Sequence, residues 1–140
     1  MAILHRRVKA HSESDTKITG TARKMEMTID EPESSGGHNA APMPTEYLLM
    51  ALAGCLNASG RAVAEKMGIA VRAVDIEVMG EIDTEADGHY TYFQKVDAKI
   101  HADSDATPEQ MAEWLARTEK ACTVSHALRF PLPVNVRLAD

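Results

Sequence analysis

The chain contains two cysteines, Cys55 and Cys122, and these are the residues whose chemistry the sequence suggests most directly. Cys55 lies inside the apolar run of residues 48–56, and Cys122 opens a short helical patch 67 positions further along. A cysteine reacts as the thiolate, so each needs a nearby hydrogen-bond donor, cation or helix N-terminus to become reactive. If folding brings the two sulfurs together, the pair can cycle between dithiol and disulfide. Taken alone, each cysteine is better explained as a small buried hydrophobic side chain.

A zinc site is the other chemistry that these residues allow. Cys122 and His126 are spaced i, i+4 on one predicted helix, and Cys55 and His38 are further candidate ligands. Structural zinc sites usually contain closely paired ligands such as C-x-x-C, and this sequence has no such pair. The sequence therefore disfavours zinc, and it predicts no cofactor.

Length and charge restrict the classes of function. A chain of 140 residues with 44% hydrophobic content predicts one domain over residues 1–140. The net charge of −6 disfavours nucleic acid as a partner, because phosphate binding needs concentrated Lys and Arg. The apolar run around Cys55 is expected to be too short to cross a membrane, and the N-terminus has no secretory pattern. We therefore expect a cytoplasmic protein, in which two thiols imply burial, a metal or redox chemistry rather than a permanent disulfide.

The first half of the chain predicts a hairpin, a loop and a long helix. Residues 3–14 and 17–30 each alternate in the manner of a strand, and residues 31–44 form a loop rich in Pro, Gly and Ser. Pro44 is typical of a helix start, and Gly68 of a helix end. The first half of this helix is apolar nearly all round, so we expect the helix to be buried at the centre of the protein.

The second half predicts another hairpin, two helices and a last strand. The hairpin turns at Asp87-Gly88, a strong turn dipeptide, and a helix capped by Thr107 follows. Residues 122–128 form a further short helix, and residues 134–138 a closing strand. The order ββ–α–ββ–α–α–β indicates the α+β class, with sheets that cover the apolar helix.

Three motifs occur together in this sequence. They are G-G-H-N at residues 36–39, P-T-E-Y-L-L-M-A-L-A-G-C at residues 44–55, and C-T-V-S-H-A-L at residues 122–128. Together they resemble the OsmC/Ohr family of osmotically induced and organic hydroperoxide resistance proteins, and the element order is similar over nearly the whole chain. The helix ending in G-C and the much later C-x-V-S-x-x-L are specific as a pair, whereas either alone is weak.

The resemblance implies both an assembly and an activity. The assembly is an intertwined homodimer in which sheets from both chains wrap the cysteine-bearing helices. The activity is a thiol peroxidase in which Cys55 is the peroxidatic thiol and Cys122 the resolving one. The Cys55 thiolate attacks an organic hydroperoxide and becomes a sulfenic acid, and Cys122 condenses with it to a disulfide. An external dithiol or a lipoylated protein then restores both thiols.

Two departures from the family pattern concern the residues that activate the thiol. The family's hydroperoxidases use a Glu at the start of the central helix and an Arg from the N-terminal strands. Glu46 matches by motif, but it stands nine residues before Cys55, where those members have ten. At about 100° per residue, nine residues turn Glu46 to roughly the opposite side of a regular helix. Arg23 is the best candidate for the arginine, with Arg6 and Arg7 as alternatives. The nine-residue spacing and the missing arginine motif are more similar to the less-characterised OsmC-like branch of the family.

Three functions remain compatible with this sequence. We favour the cysteine-based peroxidase. Because the family's arginine motif is missing around Arg23, a second hypothesis is a dimeric small-molecule-binding module of the same fold with little turnover. The third reading is a structural metal or redox-sensing protein. The separation of Cys55 and Cys122 in the fold is the first observation that discriminates among them, because a disulfide requires close approach.

Overall fold

The chain combines antiparallel strands with helices, as the predicted α+β class requires. The structure, a computed structural model, describes residues 1–84 and 92–139. Its residues fall into two units, Met1–Leu48 and the chain from Leu49 onward. The long helix α1, Pro44–Met67, starts in the first unit and continues in the second.

The first unit contains a three-stranded antiparallel sheet in the order β1-β2-β3. The strands are β1, Lys9–Ser12; β2, Ile18–Ala22; and β3, Met25–Ile29. The predicted turn between the first two strands is confirmed. The single strand predicted over residues 17–30 is wrong, since it is a hairpin that reverses at Arg23 and Lys24. Arg23 has a φ of 59°, a left-handed conformation that the residue type does not signal.

A buried carboxylate organises the loop that follows β3. Asp30 is fully buried and accepts hydrogen bonds from the hydroxyl of Thr16 (2.7 Å) and from the backbone N–H groups of His38 (3.2 Å) and Ala40 (3.0 Å). These bonds hold the pKa of Asp30 far below its usual value, the Ala40 bond most strongly. The predicted loop is confirmed apart from a short 3₁₀ helix, Glu33–Ser35.

Helix α1 begins at the predicted Pro44 and ends at Met67, and Gly68 follows with a φ of 67°. This is the left-handed conformation that commonly ends a helix. The expectation that the apolar segment is too short to cross a membrane is wrong, because α1 is long and apolar enough to do so, although only 28% of its most apolar stretch is buried. The expectation of burial on all sides is also wrong for the single chain, since Met50 is 67% exposed.

The second unit contains a two-stranded antiparallel sheet. Its strands are β4, Val74–Asp83, and β5, Tyr92–Ala102, with Val74 opposite Ala102. The turn predicted at Asp87-Gly88 lies outside the described residues. The inner face of this sheet packs against one side of α1, and its apolar side chains at that contact are Ile76, Val78, Val96 and Ile100.

Helices α2, Pro108–Ala121, and α3, Thr123–Arg129, complete the second unit. The predicted Thr107 cap is confirmed, and it forms a capping box with Gln110. Trp114 fixes α2 to α1, because its indole N–H donates to the carbonyl of Gly60 (2.8 Å). A Cβ at position 60 would lie 2.8 Å from the Trp114 ring, so only glycine allows this approach.

The closing strand predicted over residues 134–138 is wrong for the single chain. Residues 131–139 form neither helix nor strand. Val136 and Leu138, which the alternation places on one side, are 92% and 95% exposed. The described part of the chain supplies no strand that pairs with residues 134–138.

Candidate functional site

The first cysteine lies on the side of α1 that faces the core of the second unit. Cys55 is half-buried and packs against a cluster formed by Leu52, Leu56 and Cys122. Leu52 precedes Cys55 by three residues, which puts both side chains on the same face of the helix. The helix therefore presents the Cys55 sulfur next to an apolar wall while leaving part of it accessible.

The second cysteine occupies the junction between α2 and α3. Cys122 has non-helical backbone angles (φ −82°, ψ 108°), so it ends α2 and caps α3. Its N–H donates to the carbonyl of Glu119 (3.2 Å), and its sulfur accepts from the N–H of Ser125 (3.4 Å). The side chain is fully buried. The fold thus fixes Cys122 at a bend rather than within a regular helix.

The structure brings the two predicted cysteines together. Cys55 packs against the buried cluster that contains Cys122, and both thiols are free. Burial raises the pKa of Cys55, but the donors around its sulfur outweigh this and leave the pKa lowered. In decreasing order of effect, these donors are the N–H of Val124, the thiol of Cys122, the hydroxyl of Ser59 and the N–H of Thr123.

The pKa of Cys122 moves in the opposite direction. Burial raises it, the N–H of Ser125 offsets part of the rise, and the neighbouring Cys55 sulfur adds to it. Cys55 is therefore the sulfur that ionises first, and Cys122 keeps its proton and donates it. A thiolate beside a protonated thiol is the arrangement in which one sulfur reacts and the second then condenses with it.

Ser59 is a site residue that the sequence analysis missed. It lies one turn after Cys55 on α1, and its hydroxyl is also 3.5 Å from the carbonyl oxygen of Ala121, next to Cys122 in the chain. It therefore contacts both the Cys55 sulfur and the end of α2. The i, i+4 spacing from Cys55 was a signal that could have identified it.

A cavity of about 500 Å³ shares Leu52 and Leu56 with the cysteine cluster. This volume is in the range of pockets that take small organic molecules. Ser125 and Arg129 of α3 also line it. The other lining residues come from β5, α2 and α3: Phe93, Gln94, Lys95, Val96, Asp97, Ala98, Ile100, Leu115, Glu119 and Leu128. The wall is thus mixed, with eight apolar and six polar or charged side chains.

The two residues predicted to activate the thiol lie in the first unit, whereas both cysteines lie in the second. Glu46 is exposed, and its carboxylate accepts from the N–H of Met43 (2.9 Å) at the start of α1. Arg23 is exposed at the turn between β2 and β3. Glu46 thus acts as a helix-start carboxylate, and the catalytic roles of Glu46 and Arg23 stay predictions.

The two histidines that are candidate zinc ligands make other contacts in the structure. One ring nitrogen of His126, Nε2, lies 2.9 Å from the carbonyl oxygen of Lys120, and the ring stacks on Phe130. His38 belongs to the first unit, where its N–H bonds Asp30. Among the residues that the structure describes, no group of three or more His, Cys, Asp and Glu side chains could hold a metal ion.

A protein-family model described as OsmC-like protein matches residues 37–137 of this chain. The matched segment contains both cysteines, the whole of α1 and every element of the second unit. No curated protein sequence matches the chain.

Solved structures of similar fold cover nearly the whole chain. An OsmC-like protein from Mycoplasma pneumoniae superposes with a TM-score of 0.82 at 19% identity, over 90% of this chain and 88% of that one. An organic hydroperoxide resistance protein OsmC from Legionella pneumophila gives a TM-score of 0.66 at 22% identity, over 92% of each chain. Another such protein, from Elizabethkingia anophelis, gives 0.69 at 16% identity, over 91% of this chain and 90% of that one. At these identities the likeness establishes the fold.

Proposed function

The chain belongs to the OsmC-like family, and from that premise we propose that it is a thiol-dependent peroxidase that reduces organic hydroperoxides to alcohols. The observation that carries this proposal is the packing of Cys55 against the buried cluster that contains Cys122, with both thiols free. The sulfur with the lowered pKa is also the more accessible one, because Cys55 is half-buried and Cys122 fully buried. Reactivity and access therefore favour the same atom.

The reaction has three balanced steps. The Cys55 thiolate attacks the distal oxygen of the hydroperoxide, the O–O bond breaks, and the alcohol leaves after protonation while Cys55 becomes a sulfenic acid. The Cys122 sulfur then attacks the Cys55 sulfur, an S–S bond forms, and the hydroxyl leaves as water with the Cys122 proton. An external dithiol, free or on a lipoylated protein, reduces the disulfide and is itself oxidised.

Uncharged donors stabilise the Cys55 thiolate in this proposal. The N–H groups of Val124 and Thr123 and the Cys122 thiol stabilise the ionised sulfur, and the Ser59 hydroxyl can turn its single hydrogen from the carbonyl of Ala121 to the sulfur. Hydrogen bonds to an ion are stronger than those between neutral groups, so these donors can lower a thiol pKa without a cation. Arg23, a cation, is predicted to add to this effect. Glu46 stays a predicted site residue, but its negative charge would not lower a thiol pKa.

The cavity supports an apolar hydroperoxide as substrate. Leu52 and Leu56 line it and also belong to the cluster against which Cys55 packs, and this shared wall is the basis for expecting an alkyl or aryl group there. Burial of such a group contributes about 0.8 kcal/mol for each CH₂ removed from water. Small polar peroxides lack this contribution, and we expect a higher KM for them.

We also propose that the protein works as a homodimer. Val134, Val136 and Leu138 alternate along the exposed C-terminal segment, and Met50 is exposed on α1. Exposed apolar surface of this kind is covered in most stable proteins, and a second copy supplies a matching face. In analytical ultracentrifugation we expect a dimer at micromolar concentration, and Val136→Asp shifts it towards monomer. A wild-type monomer contradicts this assembly.

Turnover with cumene hydroperoxide and dihydrolipoamide tests the proposed activity. Wild-type protein should consume peroxide catalytically, and Cys55→Ser should consume none. Cys122→Ser, treated with peroxide in the absence of dithiol, should consume one equivalent and stop as a sulfenic acid. Turnover by Cys55→Ser at the wild-type rate rejects the mechanism. Wild-type protein that keeps both thiols in excess peroxide indicates the alternative function of a dimeric small-molecule-binding protein.

A further inference from the structure

The position of the Cys122 sulfur depends on the angle between α2 and α3. Cys122 is the residue at which α2 ends and α3 begins, and its backbone is not helical. Its N–H is bonded to Glu119 on one side, and its sulfur to the N–H of Ser125 on the other. Any rotation of α3 against α2 therefore moves this sulfur relative to Cys55.

One guanidinium group connects the two sides of this bend. Arg129 Nε donates to the hydroxyl of Ser125 (3.1 Å), and its terminal nitrogen Nη2 pairs with the carboxylate of Glu119. Ser125 and Glu119 are the same two residues that bond Cys122. His126 also joins the helices, through the backbone of Lys120, but Arg129 bonds the residues that hold the cysteine itself.

This connection is too exposed to matter much for global stability. The side chains of Arg129 and Glu119 are both about half exposed, and ion pairs of this kind contribute about 0–1 kcal/mol. The orientation of the Arg129 contacts matters more for Cys122 than the free energy of the ion pair. A planar group with two simultaneous partners fixes an orientation, which a flexible ammonium group does less well.

We propose that Arg129 is a positioning residue for Cys122, clamping α2 to α3 so that the Cys122 sulfur stays in line with the Cys55 sulfenic acid. The inference rests on the proposed function and concerns its second step, in which the S–S bond forms and water leaves. When the contacts of Arg129 are removed, the Cys55 sulfenic acid persists longer before Cys122 condenses with it. Excess peroxide can then oxidise it further to the sulfinic acid, which a dithiol does not reduce.

The test compares Arg129→Ala with Arg129→Lys and with Arg117→Ala as the matched control. Arg117 pairs with Glu113 on α2 and is similarly exposed, but that pair stays within one helix. Each reduced protein is mixed with one equivalent of cumene hydroperoxide, and dimedone trapping follows the sulfenic acid at Cys55. In Arg129→Ala the Cys55 sulfenic acid should convert to the disulfide about tenfold more slowly than in wild type, since orientation is lost. Arg129→Lys, which keeps the charge, should recover part of the rate. The rate at which the sulfenic acid forms is measured separately, because Arg129 also lines the cavity.

A second readout needs no peroxide. The ratio of Cys55–Cys122 disulfide to dithiol is measured in buffers of oxidised and reduced dithiothreitol, and Arg129→Ala should shift it about tenfold towards the dithiol. If wild-type protein ignores peroxide but this shift occurs, the peroxidase proposal fails and the positioning role stands. If Arg129→Ala matches wild type in the equilibrium, or Arg117→Ala shifts it equally, the positioning role is rejected.

Discussion

Cys55 packs against the cluster that contains Cys122, and the pKa values of the two thiols shift in opposite directions, down for Cys55 and up for Cys122. The contact joins residues 67 positions apart in the chain. It assigns different roles to two chemically identical side chains, because the group that ionises can attack while the other retains a proton. Local hydrogen bonding, rather than residue type, makes this difference.

Ser59 should lower the pKa of Cys55 in solution. Ser59→Ala removes one donor to the thiolate, so the pKa rises and the rate of alkylation by iodoacetamide at pH 7 falls by roughly two- to tenfold. The midpoint of the alkylation rate against pH moves upward in the same variant. Ser104→Ala is the control, because that hydroxyl donates to the carbonyl of Ala70 instead. An unchanged midpoint in Ser59→Ala means that Ser59 does not stabilise the thiolate.

Gly60 and Trp114 should be coupled in stability. Gly60→Ala places a methyl group 2.8 Å from Trp114 Cζ2, and overpacking of this kind costs about 1–3 kcal/mol in the free energy of unfolding. Trp114→Phe removes the part of the ring that clashes, together with the hydrogen bond to Gly60. A double-mutant cycle by urea denaturation should therefore show that the double variant is more stable than the sum of the single effects predicts. Strict additivity contradicts the contact.

Asp30 should make stability depend on pH in the acid range. Its pKa in the folded state is lowered, by the Ala40 N–H first and by Thr16 next. Its ionised form therefore stabilises the fold above the unfolded pKa of about 4, and this contribution is lost as the pH falls towards the folded pKa. Asp30→Asn should lower the melting temperature at pH 7, with a smaller difference at pH 3.

Asp15→Asn is the control for that measurement, since Asp15 is an exposed carboxylate in the same unit. It should leave the melting temperature unchanged at both pH values. If Asp30→Asn melts like wild type at pH 7, the buried carboxylate does not organise the loop.

Local signals in the sequence predicted the elements that depend on local chemistry. Pro44 and Gly68 fixed both ends of α1, and Thr107 fixed the start of α2, because caps and stops act within one turn. The hairpin at Arg23 was missed for the same reason. Turns with left-handed backbone are recognised by Gly, Asn or Asp, and an arginine in that conformation gives no such signal.

The remaining features depend on contacts that no local pattern contains. Alternation over residues 134–138 is typical of a strand, but it cannot say which chain provides the neighbouring strand. The meeting of Cys55 and Cys122 followed from the family resemblance, not from spacing. The sequence does not identify Ser59 or Arg129 as site residues. Ser59 lies near the Cys55 sulfur and Arg129 bonds residues on both sides of the α2–α3 bend, and these contacts exist only in the folded chain.

The count of free thiols after one equivalent of cumene hydroperoxide tests the central claim most directly. We predict that each peroxide removes two thiols, that the chain loses two hydrogens in mass, and that peptide mapping links Cys55 to Cys122. Retention of both thiols, or loss of one thiol with no link between these residues, contradicts the account.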